Sequence, residues 1–219
     1  MKFPVMDVYH DLLNQLGPRN WWPADSPFEV ILGAILTQNT SWKNVEKAIT
    51  NLKAQHLLSP ESIRKISTEE LASIIRPAGY FNQKAKKIKE FVKYLYEQYD
   101  GSIAKMRNKE TYSLRGELLR IHGIGPETAD AILLYALEKP IFVVDTYTKR
   151  ILQRHAWLPE DATYQDIQNL FMAQLPPKTL LFNEYHALID FVGHNYCRKH
   201  PKCHECPLEG RLPQTEERL

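Results

Sequence analysis

The sequence predicts an all-α fold, and three observations predict it. Apolar residues recur every three or four positions through most of the 219 residues. Proline and glycine punctuate that pattern almost everywhere. The one strand-like run, 140–144, is too short to build a sheet. Taken in order, the first clear helix covers 28–36 and is entered through Asp25, Ser26 and Pro27, a capping pair followed by a first-turn proline. Helices are then expected over 45–57, 68–75, 83–99, 102–106, 112–121, 126–137, 146–155, 164–175 and 183–196. No internal repeat or low-complexity tract interrupts them. A long middle region results, with the two ends expected to meet in a second lobe.

Composition bounds the class. A hydrophobic fraction of 43% and a charged fraction of 25% are those of a soluble globular protein. The longest apolar runs, such as 131–137, are far too short to cross a bilayer. The N-terminal segment lacks the apolar core and small-residue cleavage site of a signal peptide, so a cytoplasmic protein is expected. The net charge of +2 argues neither for nor against nucleic acid. Basic residues are nonetheless bunched: Lys84, Lys86, Lys87, Lys89 and Lys93 in one stretch, Arg198, Lys199 and Lys202 in another. Either bunch alone reads as a solvated face. All three cysteines fall between Cys197 and Cys206, an odd clustered set that suggests metal or cluster ligation before disulfides.

The most informative segment is Ile121-His122-Gly123-Ile124-Gly125-Pro126-Glu127-Thr128. A helix ends, Gly123 to Gly125 make a tight turn, and a new helix starts at Pro126. Glycines permit positive φ and leave no side chain in a ligand's way. The unpaired amides at the new helix start carry the positive end of its dipole and can hold a phosphate. A turn of this kind between helices is weak by itself. What adds weight is the apolar helix that follows, and then Phe142-Val143-Val144-Asp145-Thr146 about twenty residues on.

Residues 121–130 followed by Val143-Val144-Asp145-Thr146-Tyr147 resemble the helix-hairpin-helix motif and aspartate of the endonuclease III superfamily of DNA glycosylases. Leu36-Thr37-Gln38-Asn39-Thr40 resembles the family's glutamine-bearing segment, and 79–85 its loop before the long helix. The resemblance implies two helical lobes, 41–145 and 1–40 plus 146–219, with the active site in the cleft between them. It also implies that Asp145 is the catalytic carboxylate. Breaking an N-glycosidic bond develops oxocarbenium character, which a carboxylate stabilises while orienting water. Asp145 reads equally as the N-cap of the helix that follows, and the two roles are compatible.

Bifunctional members of the family carry a lysine just after the hairpin glycines, which forms a Schiff base and nicks the strand. Here that position is Glu127, which cannot form an imine, so a hydrolytic reaction without a lyase step is expected. Related adenine glycosylases carry a glutamate where this chain has Ala34. Three of the four tryptophans, Trp21, Trp22 and Trp42, fall within 22 residues. They read either as an anchor for the N-terminal segment or as a stacking box for a flipped, cationic base. Trp21-Trp22-Pro23, the glutamine segment, 82–85 and the hairpin glutamate together resemble the 3-methyladenine DNA glycosylase III branch. That resemblance gives Trp21, Trp22 and Trp42 the stacking role and puts Glu127 near the pocket. It has Gln38 fill the gap left by the base and Tyr80 wedge the opposite strand, while Gly123, Gly125, Thr128 and Lys199 meet DNA. The expected partner is damaged double-stranded DNA, bound by a monomer, with no need for magnesium, a nucleotide cofactor or a nucleophilic residue. The alternatives are a mismatch uracil or thymine glycosylase, a bifunctional glycosylase/lyase, and a non-catalytic DNA-binding module.

The segment from Cys197 through Cys203 to Cys206 resembles the family's C-terminal iron-sulfur loop, with two departures. The first gap holds five residues instead of six, and Leu212 stands where a fourth cysteine is expected. A [4Fe-4S] cluster prefers four thiolates. Three outcomes stay open: a cluster on Cys197, Cys203, Cys206 and an unknown fourth ligand; zinc with His194, His200 or His204 as fourth donor; or a loop that holds nothing.

Overall fold

A computed structural model describes residues 3–213, and among them every regular element is helical. The chain divides into two compact units, Trp22–Lys139 and, from the two ends, the residues up to Trp21 with those from Pro140 on.

The continuous unit is built around α2 (Pro27–Leu36), nine of whose residues are buried. Its start is capped as expected: Ser26 Oγ accepts from the Glu29 amide at 3.2 Å, and Pro27 fills the first turn. α3 (Trp42–Ala54), α4 (Pro60–Lys65), α5 (Thr68–Ile74) and the 19-residue α6 (Phe81–Tyr99) follow. After α7 (Ile103–Arg107) come the hairpin helices, α8 (Thr111–Leu119) and α9 (Pro126–Ala131). The expected single helix over 126–137 is in fact α9 followed by a π turn, Ile132–Ala136. α2 packs against α3, α6, α9 and this π turn.

That packing corrects the expected division of the chain. Residues 22–40 were expected with the termini, yet α2, nine of whose ten residues are buried, packs against helices of the middle region. The second boundary likewise falls at 139/140 rather than 145/146.

The other unit comprises α1 (Val5–Leu16), α10 (Thr146–Arg154), α11 (Tyr164–Gln174), α12 (Thr179–Asn195) and two short 3₁₀ turns, Cys203–Glu205 and Glu209–Arg211. Its core is aromatic. Phe142 stacks on Phe171 with centroids 3.9 Å apart, and both meet the buried Tyr185 edge-on. The strand-like run at 140–144 is extended and buried but has no strand partner. Side chains satisfy its backbone instead: Gln168 donates to Phe142 O at 2.7 Å, and Tyr164 Oη accepts from the Val144 amide at 3.4 Å. A buried run fixed at both ends in this way presents the next residue, Asp145, at a defined place. No described helix is long and apolar enough to cross a membrane.

Candidate active site

Asp145 is the N-cap of α10. Its backbone is extended, and its Oδ1 accepts from both the amide and the hydroxyl of Thr148, each at 2.6 Å. With one oxygen held by two donors, the carboxylate plane is fixed and Oδ2 points elsewhere. His186 Nε2 of α12 stands 3.8 Å from that Oδ2. Both side chains are nearly buried, with 10% and 12% of their surface exposed. A second carboxylate, Asp190, lies one turn further along α12. Burial and the neighbouring Asp145 push it up to about 6, while His186 pulls it back down.

In the other unit the hairpin is tightly determined. Gly123 takes a φ of +85°, and a Cβ there would stand 2.6 Å from the Lys87 side chain, so both conformation and space require glycine. Gly125 caps α9 with extended backbone and no side-chain bond, leaving Glu127 exposed in the first turn. Arg115 of α8 clamps the fully buried Asp130 of α9 through two bonds, 2.6 and 3.0 Å. Gln38, just beyond α2, is drawn into the same assembly. Its Nε2 donates to Thr128 Oγ1 at 2.9 Å and Gly123 O at 3.2 Å, and its Oε1 accepts from Lys87 Nζ at 2.5 Å. Gln38, Gly123 and Thr128 therefore come together as one hydrogen-bonded group. Lys87 reads in the sequence only as part of a charge run, and here it completes that group.

Of the three tryptophans, Trp22 and Trp42 meet edge to face with centroids 5.1 Å apart. Trp21 is the last residue of the other unit. Tyr135, on the π turn, meets the Trp22 ring at 5.4 Å and extends the cluster. Trp22 is seated on Gly33 of α2, where a Cβ would stand 2.7 Å from the indole. Tyr80 precedes α6 in a left-handed conformation with 64% of its surface exposed, as a side chain that reaches outward would be. Beneath it, the buried Lys84 donates to Leu36 O at 2.7 Å and Ala78 O at 2.8 Å, tying the end of α2 to the Tyr80 loop. Burial pushes Lys84 down to about 8, with Lys87 adding to the effect.

The cysteine loop does not fit a metal centre. The chain has three cysteines, and all are free. Among the described residues no three His, Cys, Asp or Glu come together to hold an ion. The cavity that the three cysteines line is about 20 Å³, room for roughly one water. Burial pushes the Cys206 thiol up, with Cys197 and Cys203 adding to the effect. Neither the cluster nor the zinc arrangement expected from the spacing is therefore supported by the donor set. Lys199 beside it is exposed.

Sequence reasoning missed His186, Asp190 and Tyr135. The first two carry a signal, titratable residues four apart on one helix. Tyr135 owes its place to a π turn, which no residue pattern announces.

Comparison with known proteins identifies the family. Residues 32–177, which include Gln38, the hairpin and Asp145, match the model of the HhH-GPD superfamily base excision DNA repair proteins. The chain is 47% identical over 207 residues to MJ1434 of Methanocaldococcus jannaschii, a provisionally named DNA repair glycosylase, covering 94% of each. It is 32% identical over 193 residues to endonuclease III of Thermotoga maritima, covering 88% of this chain and 84% of that one. Among solved structures it resembles the H. pylori 3-methyladenine DNA glycosylase MagIII bound to 1,N6-ethenoadenine, with a TM-score of 0.75 and 28% identity. That match covers 88% of this chain and 98% of the other. The chain belongs to the HhH-GPD superfamily of base excision DNA repair proteins.

Proposed function

We propose that this protein is a monofunctional DNA N-glycosylase that removes alkylated purines of the 3-methyladenine type from duplex DNA. The observation that carries the reading is the aromatic cluster of Trp22, Trp42 and Tyr135 seated on Gly33. Indole faces attract a flat cationic ring, and alkylated purines are such rings. The solved relative that holds an adenine derivative, MagIII with 1,N6-ethenoadenine, supports a purine substrate. Trp21 and Glu127 complete the proposed pocket.

In this reading the hairpin amides around Gly123, Gly125 and Thr128 hold a phosphate, with Lys199 as a further phosphate contact. Gln38 occupies the space the flipped base vacates, and Tyr80 wedges the opposite strand. The glycosidic bond breaks with its electron pair leaving on the base, which departs neutral because it began cationic. Asp145 stabilises the positive sugar and accepts the proton of the water that attacks it. Glu127, standing where bifunctional relatives have lysine, supports hydrolysis as the whole reaction.

The test is a panel of duplexes carrying 3-methyladenine, uracil or thymine opposite guanine, assayed with and without alkali to cut abasic sites. Release of 3-methyladenine, with strand cutting only after alkali, is expected. Strand nicking without alkali, or a borohydride-trapped covalent complex, would overturn the monofunctional reading. Asp145→Asn is expected to abolish base release and keep DNA binding, and full residual activity would sink the mechanism.

A further inference from the structure

Helix α12 carries His186, Asp190 and His194 at intervals of four, on one face. That face meets the start of α10. His186 Nε2 stands 3.8 Å from Asp145 Oδ2, and His194 Nδ1 lies 3.1 Å from Tyr147 Oη. Asp190 sits between the two histidines and feels both Asp145 and His186. The approach depends on Gly193, where a Cβ would stand 2.4 Å from that of Tyr147. It is locked by Arg150 of α10, which donates to Gly193 O at 2.9 Å and covers the Tyr147 ring at 4.8 Å. The titratable groups set against Asp190 are Asp145 and Tyr147 from α10 and His186 of its own helix. Glu184 belongs with α1 instead, where the Arg19 amide and Tyr9 are its neighbours.

Two carboxylates and an imidazole in a poorly solvated place cost stability. Such clusters concentrate where charge is put to use. We propose that His186 and Asp190 are positioning residues for Asp145, the imidazole fixing the oxygen that Thr148 leaves open and the second carboxylate setting the charge that oxygen carries. The inference rests on the reading of Asp145 as the catalytic carboxylate. Coupled groups of this kind titrate as a set. With His186 gone, two carboxylates face each other and hold a shared proton to higher pH. With the Asp190 charge gone, that shared proton has no second carboxylate to hold it. The two changes have opposite signs, which a merely structural role would not produce.

The experiment is the pH dependence of single-turnover base release, on whichever duplex of the panel the wild-type protein cuts. For His186→Gln the acid limb is expected to move up by about one pH unit, and for Asp190→Asn down by a similar amount. Binding to an abasic duplex should stay within about twofold, since about twofold is a few tenths of a kcal/mol. Variants that lose rate equally at every pH, with the limb in place, overturn the inference while Asp145→Asn still tests the glycosylase reading. A wild-type protein that releases no base from any duplex sinks that reading and this assignment with it. Carboxyl ¹³C titration needs no activity. A midpoint for Asp190 at about 6 that drops in Asp145→Asn supports the coupling; one at an ordinary aspartate value, about 4, or one that Asp145→Asn leaves in place, overturns it.

Discussion

The hairpin and the cysteine loop are both short connections following a helix, and they are held by different means. At the hairpin the bonds run between side chains that are themselves buried or ordered: Arg115 clamps Asp130, while Lys87, Gln38 and Thr128 form a chain that ends on Gly123 O. At the cysteine loop, side chains from helices reach over to the loop's backbone. Arg154 donates to Arg198 O at 2.6 Å and to Cys197 Sγ at 3.3 Å, Gln15 donates to Pro207 O at 3.0 Å, and His155 meets Arg211 O at 3.1 Å. Leu208 is the loop's one fully buried anchor. The first arrangement fixes the shape of a surface that has to meet something. The second fastens a segment down and leaves its basic residues outward. Networks of buried polar groups fail sharply when one member goes, whereas scattered bonds to backbone fail by increments.

Substitutions can break this contrast, and the largest effect belongs to the hairpin. Asp130→Ala leaves Arg115 without its buried counter-charge and should cost about 3–5 kcal/mol in urea unfolding. A loss under about 1 kcal/mol would put the hairpin in the same category as the loop. Next is a pH effect on the same unit. Lys84 is held at about 8 in the folded protein against 10.5 when free, so between those values the unfolded chain binds more protons and stability rises with pH. That rise should approach about 3 kcal/mol, since each pKa unit is worth about 1.4 kcal/mol, and be missing in Lys84→Met. Urea midpoints from pH 7 to 10.5 for both proteins decide it. In the loop, Leu208→Ala should cost about 2 kcal/mol, at the low end for a buried leucine because the segment can settle. Smallest of all, Cys203→Ser with Cys206→Ser should unfold within about 0.5 kcal/mol of wild type. A loop organised by metal would lose far more, and iron or zinc bound one-to-one would reverse this side of the comparison.

Most of the fold was legible because its grammar is local. Ser26-Pro27 starts α2, the Gly123–Pro126 turn separates α8 from α9, and Asp145 starts α10, each for reasons confined to a few residues. α1 and α4 passed unread. Proline precedes α1 and no side chain caps it. α4 is only six residues long, less than two turns of periodicity. The division of the chain was misplaced because periodicity says that α2 is buried without saying against what. The same limit applies to the site. Asp145 and the hairpin could be picked out as candidates from their motif and the resemblance it carries, but the company each keeps is tertiary. His186 and Asp190 lie more than forty residues from the aspartate they face, and Lys87 and Gln38 are nearly fifty residues apart in the chain. The cysteine spacing suggests a ligand set, but spacing does not say what holds the loop: Arg154, His155 and Gln15 bond its backbone, and Arg154 also meets the Cys197 thiol.

Gly33 carries a consequence for how such a pocket is found and how it drifts. Scanning by alanine locates function by removing atoms, so it registers the tryptophans and is blind to the residue that makes room for one of them. At position 33 the informative change adds a methyl group, displacing the Trp22 indole that otherwise occupies that space. Two relatives could share every aromatic side chain of the cluster and still present differently shaped surfaces, distinguished by one atom on the helix beneath Trp22.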